Sequence, residues 1–109
     1  MIEIKDLSEY MTHLMSKEHN DKLLICYFTA SWCGPCKMIA PLIYEIDEQN
    51  DNIVVMKIDV DECEEVSAQC NIECMPTFLF YQKNEIEPFE KFSGADPQKL
   101  VTIINNILS

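Results

Sequence analysis

The sequence predicts an α/β domain with a mixed sheet of about five strands between helices, and three observations carry that expectation. Residues 23–28, Leu-Leu-Ile-Cys-Tyr-Phe, are an unbroken apolar run, the pattern of a strand covered on both faces by helices. Segments of strand length alternate with segments of helical spacing from the N-terminus onward. The last two strand-like segments, 77–81 and 87–92, follow each other with no helical pattern between them, so parallel crossovers come first and an antiparallel pair last.

The elements follow in order. Residues 2–4 open a first strand. Asp6 and Glu9 have capping-box spacing, and Leu7, Tyr10, Met11 and Leu14 then mark one face of a first helix. Residues 23–28 form the central strand. After Cys33 the apolar positions Ile39, Leu42, Ile43 and Ile46 keep helical spacing, and Pro41 among them predicts a kink rather than an end. Residues 53–58 read as the next strand. Asp61 and Glu64 form a second capping-box pair, opening a short helix through about Cys70. The 77–81 strand pairs with 87–92, Gly94 punctuates, and Asp96 with Pro97 starts a last helix whose stripe is Leu100, Ile103, Ile104 and Ile107. The order is β-α-β-α-β-α-β-β-α.

A chain of 109 residues, 48% apolar and without repeat or linker, suits one domain over residues 1–109 with its own core. A formal net charge of -11 argues against nucleic acid or an anionic membrane as a partner. Within 45–73 the carboxylates Glu45, Asp47, Glu48, Asp51, Asp59, Asp61, Glu62, Glu64, Glu65 and Glu73 face one base, Lys57. That run reads first as a solvated face and second as a docking surface for basic partners. The N-terminus lacks signal-peptide character, and no run approaches the roughly 18 apolar residues of a membrane span. Six cysteines beside an ample core point to a reducing compartment, where a Cys-x-x-Cys pair is catalytic or metal-binding rather than a structural staple.

The sequence Trp32-Cys33-Gly34-Pro35-Cys36 stands where a buried strand gives way to a helix. Unpaired N–H groups and the helix dipole stabilise an anion there, so Cys33 is expected to have a lowered pKa and to act as nucleophile. Cys36, one turn deeper and within disulfide reach, is expected to stay protonated and resolve the mixed disulfide. Pro35 stiffens the turn, Gly34 keeps the approach open, and Trp32 offers a flat surface to a peptide. The competing reading is half a zinc site, but zinc wants four ligands. The other cysteines are not spaced as a second pair, and His13 and His19 are expected at the surface, so no metal is expected.

Trp32-Cys33-Gly34-Pro35-Cys36-Lys37 with Pro41, Met75-Pro76-Thr77, Asp59-Val60-Asp61, Phe78 and Gly94 resembles the thioredoxin family over essentially the whole chain, most of all its small cytosolic animal type. The resemblance implies the thioredoxin fold, a central mixed five-stranded sheet flanked by four helices. It also implies protein disulfide reductase activity with Cys33 and Cys36 as the redox-active centre, and a role in electron transport and cell redox homeostasis in the cytoplasm. No cofactor is bound in that family; electrons come from NADPH through a flavin-containing thioredoxin reductase. The implied partners are that reductase and disulfide-containing proteins, with the chain a monomer. Pro76 is implied to be cis and to face Cys33, leaving the backbone at Met75 free to pair with a substrate strand.

The chain departs from the family at Tyr27, where thioredoxins usually bury an Asp that takes the proton of the resolving cysteine. A phenol with a pKa near 10 is no equivalent base at neutral pH. Tyr27 is either an orienting group for Cys36, with slowed resolution, or simple core filler. Lys57 matches the family's partner for that Asp; left partly buried without it, Lys57 is expected to have a depressed pKa, with Asp59 taking over the pairing.

Cys26 reads as core. Cys63 and Cys70 are expected on one stripe of the short helix, with Cα atoms roughly 10 Å apart. A disulfide spans about 7 Å at most, so a regulatory bridge between them needs that helix to unwind. Cys74, near Pro76, is either structural or a regulatory thiol able to link two chains or take an oxidative cap. The leading expectation is a disulfide reductase; the alternative is a redox-dependent binding module that docks on a partner in its dithiol form with low turnover. A disulfide isomerase is disfavoured, because Pro35 rather than His separates the cysteines.

Overall fold

The computed structural model describes residues 1–82 and 85–109. The elements are β1 (Ile2–Ile4), α1 (Leu7–Leu14), a 3-10 turn (Lys17–His19), β2 (Leu23–Thr29), α2 (Gly34–Gln49), β3 (Ile53–Asp59), α3 (Glu64–Gln69), β4 (Thr77–Tyr81), β5 (Glu90–Ser93) and α4 (Pro97–Leu108). One five-stranded sheet has the order β1-β3-β2-β4-β5. β3 runs parallel to β1 and to β2, while β4 runs antiparallel to β2 and to β5. The predicted mixed sheet and four helices are therefore present.

β2 is buried along its whole length, as its apolar run requires. Alternation along it feeds two cores. Leu24, Cys26 and Phe28 join Tyr10 and Leu14 of α1 and Val66 of α3 on one face of the sheet. Leu23, Ile25 and Tyr27 join Ile39, Ile43 and Ile46 of α2 and Leu100 and Ile104 of α4 on the other. Tyr27 thus points under α2, the helix that carries the cysteine pair.

Capping fixes most helix starts. Asp6 accepts the Glu9 N–H at 2.8 Å, and Asp96 accepts the Lys99 N–H at 3.1 Å, both as the sequence predicts. α2 runs on through Pro41. The start of α3 differs from its predicted capping box. Its N-cap is Cys63, without a side-chain cap bond, and Asp59 holds the preceding turn by accepting the N–H groups of Asp61 (2.9 Å) and Glu62 (3.4 Å). Asp59, two residues before Asp61, thus holds the turn that leads into α3, while the first turn of the helix itself has no side-chain cap. β5 also starts later than predicted, at Glu90, and runs one residue further to Ser93.

Candidate active site

The chain leaves β2 at Thr29 and enters α2 at Gly34, and the short connection between them carries Trp32 and Cys33. Cys33 is the N-cap of α2: its sulfur accepts the Cys36 N–H at 3.2 Å, the bond an Asp or Ser makes elsewhere. Pro35 fills the first turn, where a missing N–H costs nothing. Cys33 and Cys36 form a disulfide with Cα atoms 5.3 Å apart. The exposures are 4% for Cys33 and 2% for Cys36, so the expected difference in depth is small. What distinguishes the two sulfurs is the amide aimed at Cys33. Gly34 is exposed with open space around it.

Around the pair, Ala30, Cys33 and Cys36 form a small cluster of their own with Val60 and Met75 packed on it. Met75 is followed by a cis bond to Pro76, which is the expected isomer. Pro76 is buried, and its carbonyl accepts the Gly94 N–H at 2.9 Å, which fastens this loop to the end of β5. Trp32 is 65% exposed, and its indole N–H donates to Asp61 at 2.7 Å. One carboxylate of the acidic run therefore orients the flat apolar surface beside the cysteines.

Tyr27 is buried with its ring stacked on Phe78, centroids 5.4 Å apart. Its hydroxyl donates to Thr29 Oγ1 and to the Cys36 carbonyl, each at 3.3 Å. Burial pushes its pKa up, and the Thr29 hydrogen bond and Lys57 offset this only in part. A cleft of about 210 Å³ lies beside it, lined by Cys36, Tyr44, Lys57 and Asp59 among others.

Lys57 corrects an expectation. Burial pulls its pKa down, but the Tyr44 hydroxyl at 3.4 Å, with Glu3 and Tyr27, more than offsets burial, so the value is raised rather than depressed. Its partners are Tyr44 and, at 4.0 Å, Glu3. Asp59 does not take over the pairing; its carboxylate is committed to the turn before α3.

The remaining thiols differ in setting. Cys26 is fully buried, and burial pushes its pKa well up. Cys63 and Cys70 are the two caps of α3 rather than residues within it, and both face the same core as Val66, on one stripe as expected. Cys63 is buried and donates to the Ile4 carbonyl at 3.0 Å, whereas the half-buried Cys70 reaches the Tyr10 hydroxyl at 3.5 Å. Burial raises the pKa of both. Cys74 is exposed and free, next to Met75. The histidines bring a second correction: His19 is buried and His13 half-buried, not surface residues. Among the described residues no group of three or more metal-ligating side chains gathers.

Sequence reasoning misses Thr29, Tyr44 and the Asp61 bond to Trp32. Alternation along β2 was a usable signal for Thr29, two residues from Tyr27 on the same face. Nothing local marks Tyr44, which meets Lys57 only because α2 lies over β3.

The Thioredoxin family model matches residues 3–106. Thioredoxin of Ovis aries is 40% identical over 101 residues, 93% of this chain and 94% of the relative. Thioredoxin of Homo sapiens is 42% identical over 88 residues, 81% of this chain and 82% of the relative. Among solved structures, Fasciola hepatica thioredoxin superposes with a TM-score of 0.89 at 30% identity, covering 97% of this chain and 98% of its own. Reduced Schistosoma mansoni thioredoxin pre-protein does so at 0.84 and 38%, covering 96% and 95%.

Proposed function

The chain belongs to the thioredoxin family, and from that membership we propose how its cysteine pair works as a protein disulfide reductase and what supplies its electrons. The chain is a thiol–disulfide oxidoreductase acting by dithiol-disulfide exchange. In the proposed division of labour the Cys33 thiolate attacks a target disulfide, forming a mixed disulfide and releasing one target sulfur as thiolate. Cys36 then loses its proton, attacks Cys33, and expels the second target sulfur. Two electrons pass to the target, and the Cys33–Cys36 disulfide remains. The observation that carries this reading is the N-cap position of Cys33 with the Cys36 N–H on its sulfur, because the same donor and the helix dipole stabilise a thiolate there.

Trp32, Met75 and the backbone before Pro76 are proposed to receive the target segment, with Gly34 and Pro35 shaping the approach. Re-reduction is proposed to come from NADPH through a flavin-containing thioredoxin reductase. The chain is proposed to act as a single domain and monomer in the cytoplasm, in electron transport and redox homeostasis. What supports these readings is family membership, together with the finding that among the described residues no helix is long and apolar enough to cross a membrane.

The test is direct. Cys33→Ser abolishes insulin reduction, whereas Cys36→Ser reacts once and accumulates the mixed disulfide. Iodoacetamide alkylates Cys33 of the reduced protein with a midpoint below the roughly 8.5 of a free thiol. Full activity in Cys33→Ser, or alkylation no faster than in an unfolded peptide, overturns the assignment.

One observation favours the second reading, a partner-docking module with low turnover: the Tyr27 hydroxyl, with its raised pKa, stands where relatives carry a carboxylate. Feeble insulin turnover combined with tight binding of a partner to the dithiol form alone selects the module; ordinary turnover with reductase and NADPH removes it.

A further inference from the structure

His13 and His19, the two histidines of the chain, meet where the end of α1 faces the 3-10 turn that follows. His13 Nδ1 lies 3.3 Å from His19 Nε2, with ring centroids 5.6 Å apart and planes inclined by 21°. His19 is 8% exposed, and its Nδ1 has no hydrogen-bond partner. The backbone of the turn is tied at both ends, since the His19 N–H donates to the Ser16 carbonyl at 3.1 Å and the His19 carbonyl accepts the Lys22 N–H at 3.0 Å.

Two imidazole nitrogens at this distance attract only when one carries a hydrogen and the other a lone pair. With both rings charged, two N–H groups confront each other and the bond becomes repulsion. A charged His19 also places a proton on Nδ1, which has no acceptor in its buried setting. Burial is the main influence against the charge. His13 from α1 and Lys22 from the approach to β2 add to it, and Glu18 on the turn itself opposes it; the balance leaves the pKa below its ordinary value. Zinc also suits paired imidazoles, but no third ligand joins them among the described residues.

We propose that His13 and His19 form an acid-released clasp that fastens the C-terminal end of α1 to the turn leading into β2, closed while one ring still offers a lone pair to the other and opened when both are protonated. The sign follows from linkage. A histidine held below its unfolded pKa stabilises the fold above about 6.5, and that stabilisation is lost as pH falls through the folded value. Each unit of depression is worth about tenfold in the folding constant. α1 packs on the face of the sheet opposite α2, so opening the clasp leaves the Cys33–Cys36 end in place.

The test uses oxidised protein, in which two imidazole Cε1–H signals are followed by NMR from pH 8 to 4.5 beside the amide exchange of residues 10–14. The expected result is a His19 midpoint below that of a free imidazole. Exchange protection of residues 10–14 then falls at least about tenfold below pH 6 after correction for intrinsic rates, a loss absent in His19→Phe. His13→Ala, which alters only the less buried partner, moves the His19 midpoint upward. A His19 midpoint equal to that of a free imidazole, protection that falls in parallel in wild type and His19→Phe, or a midpoint unmoved by His13→Ala overturns the proposal.

Discussion

The hydroxyl of Tyr27 donates to the backbone carbonyl of Cys36 across 3.3 Å, so a buried phenol grips the main chain of the proposed resolving cysteine. The same hydroxyl bridges to Thr29, which ties the end of β2 to the first turn of α2. Its raised pKa leaves it a hydrogen-bond donor throughout the neutral range and no acceptor of the Cys36 proton.

Single-turnover release from the mixed disulfide is therefore expected to accelerate in Tyr27→Asp, by about tenfold or more, since a placed general base contributes roughly 100-fold and upward. Stopped-flow fluorescence reads the step, and an unchanged release rate defeats the idea. Tyr27→Phe separates structure from chemistry. It loses the two hydroxyl bonds, lowering stability by about 1 kcal/mol, and keeps the wild-type release rate.

Trp32 is the sole tryptophan, and its indole N–H on Asp61 makes emission a direct report of the proposed docking surface. Asp61→Asn is expected to shift the emission and to reduce kcat/KM for a protein disulfide several-fold, chiefly through KM. Stability changes by less than about 1 kcal/mol, because the pair is exposed. Unaltered emission in Asp61→Ala, which removes the acceptor altogether, shows that the bond does not persist in solution.

The free thiols are expected to divide sharply under mild oxidation or alkylation. Cys74 is exposed, whereas Cys26 and Cys63 are buried and Cys70 is half-buried against Tyr10. Peptide mass spectrometry after brief iodoacetamide treatment of oxidised protein should find Cys74 modified at least about tenfold faster than the other three, as access and thiolate fraction dictate. Equal labelling of Cys70 and Cys74 contradicts the packing of α3 described above.

Alkaline titration examines the buried phenols. Burial raises the pKa of Tyr10, Tyr27 and Tyr81 above 10, so each is neutral in the fold at a pH where the unfolded chain ionises. The stability they contribute is complete below about pH 10 and declines as pH rises beyond it. Absorbance near 295 nm should show these three ionising together with the loss of near-ultraviolet circular dichroism. Ionisation of all three while the dichroism persists goes against the expectation.

The sheet was legible because its signals are local. Residues 23–28 and the 77–81 strand carry buried-strand runs, and Asp6 and Asp96 cap as their spacing demands. The same spacing at Asp61 and Glu64 misleads, because Asp59 at the end of β3 takes the Asp61 and Glu62 N–H groups into a turn that delays the helix start, so that Cys63 becomes the N-cap. Cys33 and Cys36 were readable from one short motif. Lys57 was not, since the charge of a half-buried amine depends on which side chains the fold brings over it, and Tyr44 comes from another layer. His19 was misjudged for a related reason: its polarity alone reads as exposure, and the 3-10 turn that brings it against His13 at the end of α1 is not marked in the sequence.

The cluster of Ala30, Cys33 and Cys36, with Met75 against it, is distinct from the two large cores of the sheet and meets one of them only through Val60. Closing or parting the sulfurs is then an event at the rim, absorbed by a few neighbours while the packed body stays as it was. A disulfide reductase arranged in this way can cycle many times between its two oxidation states at little conformational expense, and a partner that must tell the states apart has to do so at this rim.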